Sequence, residues 1–125
     1  MREYQKELLT EQMKIHQACS VRVGGYCMSP VIRDNAEVTL EPVADPAALR
    51  PGEIVAYFIG TQLLVHRLLG NNGTLLRLNG DNIDALPHEI APEAVFGRVR
   101  KIKNPGFFKR LLKKTGEMYA RLIKK

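Results

Sequence analysis

Three residues of reactive type stand in turn or strand surroundings. Cys27 lies in Gly25-Tyr26-Cys27-Met28-Ser29-Pro30, His66 in Val65-His66-Arg67, and Asp81 in Asn79-Gly80-Asp81-Asn82. A thiol, an imidazole and a carboxylate are the parts of nucleophilic acyl transfer. The imidazole takes the nucleophile's proton, and the carboxylate fixes the imidazole tautomer and stabilises its cation. A free thiol ionises near a pKa of about 8.5, and a nearby imidazolium or positive dipole lowers that value. Each residue also has a plain reading. A lone Cys is more often a small buried apolar residue, a lone strand His is usually structural, and an Asp after Gly usually caps a turn.

Other residues support or rival the three. The Cys27 backbone N–H is a candidate oxyanion donor. Met28 is placed on the pocket wall, Arg67 beside the base, and Asp84 is the reserve carboxylate. Ser29 is a rival nucleophile, but a residue before proline is held to extended geometry. His16 and His88 read as surface residues.

The elements that must position these groups read as mostly β. Residues 2–18 predict a helix, with Tyr4, Leu8, Ile15 and Cys19 at helical spacing and Leu9 and Met13 alongside. That helix is expected to cover one face of the domain. Val21–Val23 is a short strand, after which Gly24-Gly25 permits a sharp change of direction. Pro30 closes the turn that presents Cys27. Further strands are expected at 37–40, 53–59, 62–69, 74–78 and 94–102, with Asn71-Asn72-Gly73 as a hairpin signal. Leu86–Glu89 reads as loop. Short strands at close spacing indicate an antiparallel, barrel-like sheet. Residues 107–124 predict an amphipathic helix with Phe107, Phe108, Leu111, Leu112, Tyr119, Leu122 and Ile123 on its apolar stripe. The expected divisions are a helix at 1–20, a catalytic domain at 21–103 and a basic helical tail at 104–125.

Composition narrows the function classes. The 125 residues suit one domain, and a hydrophobic fraction of 45% allows a real core. Cys19 and Cys27 make neither a metal spacing nor a disulfide framework, so reduced thiols and a cytoplasmic setting are expected. No metal or organic cofactor is implied. No run approaches the roughly 20 apolar residues that span a bilayer, and the first 20 residues do not read as a signal peptide. Of the 19 basic and 13 acidic residues, nine and one lie in 101–125, leaving ten and twelve in the rest. The net charge of +6 therefore belongs to the tail. Packing on the barrel is its expected role. An anionic membrane surface or an acidic partner are the alternatives. Nucleic acid is not the expected partner, because the tail's aromatics fall on the apolar stripe.

In this order the motifs resemble the type I signal peptidase clan, which also holds the LexA-type self-cleaving repressors. The clan pattern is a Gly-x-Ser-Met-x-Pro nucleophile turn, a strand like Gly-Asp-x-Val, a basic general base beside Arg, then Gly-Asp-Asn and a Gly-Arg-Val strand. Gly25–Pro30, Gly52-Glu53-Ile54-Val55, His66-Arg67, Gly80-Asp81-Asn82 and Gly97-Arg98-Val99 match it over roughly 21–102. The chain departs at three points. Cys27 replaces the serine. His66 replaces the lysine of bacterial enzymes and repressors, as in the archaeal and endoplasmic-reticulum branch with its Ser-His-Asp site. The usual membrane anchor before the nucleophile is missing.

The resemblance implies a signal-peptidase-like β-barrel fold and an endopeptidase cutting extended peptides through Cys27, His66 and Asp81, cytoplasmic or peripheral at a membrane. Three origins fit the cysteine: a natural cysteine peptidase, an inactive relative, or an engineered replacement of serine. The competing function is a catalytically silent member of the fold that binds peptides or docks a partner.

Overall fold

The strands follow the β-branched and aromatic runs; tight turns join some of them, and the last strand returns to pair between two earlier ones. A computed structural model describes residues 2–106. The predicted C-terminal helix at 107–124 lies outside the described residues. The elements are α1 (Glu3–His16), β1 (Cys19–Val23), β2 (Ala36–Glu41), β3 (Ile54–Ile59), β4 (Gln62–Asn71), β5 (Leu76–Asn79), β6 (His88–Ile90) and β7 (Val95–Lys103). Among the described residues the protein is thus mostly antiparallel β-sheet with a single, N-terminal helix. The strand order is β1-β2-β7-β3-β4-β5-β6.

β3 is central, and both of its faces are covered. Val55, Ala56 and Tyr57 are consecutive and fully buried. Successive side chains on a strand point to opposite faces, so Ala56 joins one core and Val55 and Tyr57 another. The first core holds Met13, Met28, Ile32, Val38, Leu40 and Val65. The second holds Leu49, Leu68, Leu76, Leu78 and Ile90 around Tyr57. The unbroken apolar run of Ile54–Ile59 is what a strand buried on both faces requires.

Two expectations need correction. Residues 88–89, placed in a loop, begin strand β6, which pairs Leu76 with Ile90 and Leu78 with His88. Buried Ile90 anchors this three-residue strand in the second core. The helix also packs by a different face. Tyr4, Leu8 and Ile15 are more than half exposed, whereas Met13 is buried and Leu9 packs beside it. Cys19 is not part of the helix: Gln17 takes a left-handed conformation that ends α1, and Cys19 opens β1. Among the described residues no helix is long and apolar enough to cross a membrane.

Candidate active site

Cys27 sits in a turn between β1 and β2. The Ser29 N–H donates to the Tyr26 carbonyl at 3.0 Å and the Ile32 N–H to the Met28 carbonyl at 2.9 Å, so the chain coils tightly here. Met28 and Ile32 are driven into the first core, at 2% and 0% exposure. Cys27 is left exposed. Gly25 enters the turn at φ +88°, a conformation that suits glycine, and its N–H donates to Asp34 Oδ1 at 2.9 Å.

The Gly80-Asp81-Asn82 segment braces this turn from behind. The Asn82 N–H donates to the Cys27 carbonyl at 2.8 Å. A Cβ on Gly80 would lie 2.4 Å from that same carbonyl oxygen, so only glycine admits the approach. The Gly-Asp-Asn stretch therefore braces the Cys27 turn through backbone contact.

Among the described residues the expected hydrogen bond from a His66 N–H to Asp81 is not formed, which corrects the orienting role given to this carboxylate. Asp81 is held by Arg67, through Nε to Oδ1 at 2.8 Å and Nη2 to Oδ2 at 2.7 Å. Arg67 also donates to the Gly52 carbonyl at 2.8 Å. The hydrogen bond to Asp81 is the main cause that raises the guanidinium's pKa. The reason for the pairing is the pleat: His66 and Arg67 are adjacent on β4 and project to opposite faces. Asp84, the reserve carboxylate, is exposed.

His66 is instead held by Tyr57, whose hydroxyl is 2.7 Å from Nδ1. The same hydroxyl contacts His88 Nε2. The two imidazoles lie edge to face with centroids 5.2 Å apart. His88, read as a surface residue, is therefore half-buried and part of this cluster. Burial lowers the His66 pKa most; the charge on His88 adds to that, and Asp81 opposes it weakly through space. Burial, with the nearby Cys27 second, pushes the Tyr57 phenol well above its usual range. Tyr57 thus keeps its proton.

Cys27 and His66 line one cavity of about 170 Å³ with Met28, Val23 and Val65. Cys27 Sγ makes no hydrogen bond among the described residues, and the Cys27 N–H has no acceptor there. With Nδ1 of His66 taken by Tyr57, Nε2 is the nitrogen left for the shared cavity. Cys19, the other thiol, is free and buried, and burial raises its pKa. Among the described residues no cluster of His, Cys, Asp and Glu is arranged to hold a metal ion.

The sequence reading missed Tyr57 and His88. Tyr57 stands in an apolar strand run, where an aromatic residue reads as core. His88 stands beside Pro87, where the chain reads as loop. No protein-family model matches the chain, and no curated protein matches it.

Proposed function

We propose that the chain is a peptidase of the signal-peptidase and LexA-like kind, with Cys27 as nucleophile and His66 as general base. The observation that carries this reading is the shared cavity: an exposed thiol and a half-buried imidazole line one groove between β1 and β4. Among the described residues β1 pairs only with β2, and Gln62–His66 of β4 pair only with β3. Such edges accept an extended peptide as an added strand. The peptide would lie along Val21–Gly24 on one side and Leu63–His66 on the other.

The chemistry then runs as acyl transfer. Cys27 Sγ attacks the scissile carbonyl carbon while its proton passes to His66 Nε2. The Cys27 N–H faces the developing oxyanion. The C–N bond breaks, His66 returns the proton to the leaving amine, and a thioester remains. Water, deprotonated by His66, then releases the acid and restores the thiol.

A second reading has its own support. The pairing of Asp81 with Arg67 leaves His66 without a hydrogen-bonded carboxylate among the described residues, which favours a silent peptide-binding module.

Alkylation of Cys27 by iodoacetamide against pH, in the parent and in His66→Ala, tests the proposal. Coupling requires the parent to react well below the ordinary thiol range of about 8.5, with the profile shifted upward in His66→Ala. A peptide-library screen then follows, with Cys27→Ala as the inactive control. Equal profiles in both proteins, together with no cleavage by the parent or by Cys27→Ser, would leave the binding module.

A further inference from the structure

We propose that His88 and Tyr57 together set the tautomer of His66, doing the work that a carboxylate does in a Ser-His-Asp site. The inference rests on the Cys27–His66 reading above, and it concerns where one proton sits.

The place of the proton follows from the donors and acceptors around the Tyr57 hydroxyl. His88 Nδ1 stands 3.5 Å from the Leu86 carbonyl oxygen. A carbonyl only accepts, so in the neutral ring the proton belongs on Nδ1 and the lone pair on Nε2. The Tyr57 hydroxyl, which contacts Nε2, has one proton and donates it there. Its oxygen is then the acceptor toward His66, 2.7 Å away. This arrangement puts the His66 proton on Nδ1, and Nε2 keeps the lone pair that a general base needs.

The opposite arrangement has a cost. If Tyr57 donated to His66 Nδ1, His88 would have to donate from Nε2. Its bare Nδ1 would then face the Leu86 oxygen, two acceptors together. Tyr57 is fully buried, so its hydroxyl has no water to choose instead. The phenol also holds its proton, because burial raises its pKa. Tyr57 and His88 are thus positioning residues. They touch the base, and neither lines the cavity with Cys27.

The test is long-range ¹H–¹⁵N correlation of the imidazoles in the full chain, at about pH 8, where an ordinary imidazole is neutral. The expected parent spectrum shows His66 with its proton on Nδ1. Tyr57→Phe, which keeps the ring, should move the population toward Nε2–H. His88→Gln, whose amide oxygen can still accept from Tyr57, should preserve the parent tautomer, and His88→Phe should lose it. Cys27 alkylation at the same pH should be slower in Tyr57→Phe than in the parent. A parent His66 protonated on Nε2 overturns the proposal, whether or not any variant folds. So does a tautomer that Tyr57→Phe leaves unchanged. A tautomer that responds as expected, in a protein whose thiol reacts as an ordinary one, upholds this inference and removes the peptidase reading.

Discussion

His66 is where packing and chemistry meet. Its imidazole is held below the ordinary pKa by burial first and by His88 second. As pH falls below about 6.5, the unfolded chain takes up the proton before the folded one does. Stability from the neutral ring is complete above that value and is lost as pH falls through the folded-state pKa. Between about pH 7 and 5 the parent should therefore lose more Tm than His66→Asn does, measured by thermal melts across that range. Asp81 makes a second case. Both its oxygens bond to Arg67, with side-chain exposures of 17% and 29%. Asp81→Asn should cost about 1–3 kcal/mol in urea unfolding while leaving the pH profile of Cys27 alkylation nearly in place. A large upward shift of that profile would restore Asp81 as the orienting group. Both residues were legible in the sequence as reactive types. Their partners were not, because the bonds join β4 to β3 and to the segment after β5.

At the scale of elements, helix α1 shows what periodicity determines and what it leaves open. The segment carries two apolar stripes, Leu9 with Met13 and Tyr4 with Leu8 and Ile15. Helical spacing establishes a helix but does not choose between them. The domain takes the first: Met13 is 6% exposed and Ile15 is 65% exposed. Met13→Ala should therefore destabilise by about 2–4 kcal/mol, and Ile15→Ser should stay within about 0.5 kcal/mol. Urea midpoints of the two variants check this directly. The Cys27 turn was more legible. Its glycine and proline mark a turn by composition, and its apolar Met28 and Ile32 supply the anchors that leave Cys27 outside.

For the whole molecule, the sheet's order matters more than its strand count. β3 lies between β7 and β4 and is buried on both faces, whereas β1 and β6 are the edges among the described residues. Hydrogen exchange should thus be slowest at Val55–Tyr57 and fastest, among the strands, at the outward amides of β1 and β6. A bound extended peptide should add protection at Val21–Val23 and Leu63–Val65 and leave β6 unchanged. Protection confined to β6 would move the docking edge away from Cys27.

The sequence by itself determined that this chain is mostly antiparallel β, where most of its strands and turns fall, and which residue types could do acyl-transfer chemistry. Alternation, turn residues and reactive side chains are local properties. Only the tertiary structure decided that Asp81 serves Arg67, that Tyr57 joins His66 to His88, and which face of α1 is buried. Those outcomes depend on which strands become neighbours and on which side of the pleat each side chain emerges. Strand β6 belongs with them, because three residues beside a proline become a strand only when β5 offers an edge and the core offers Ile90 a place.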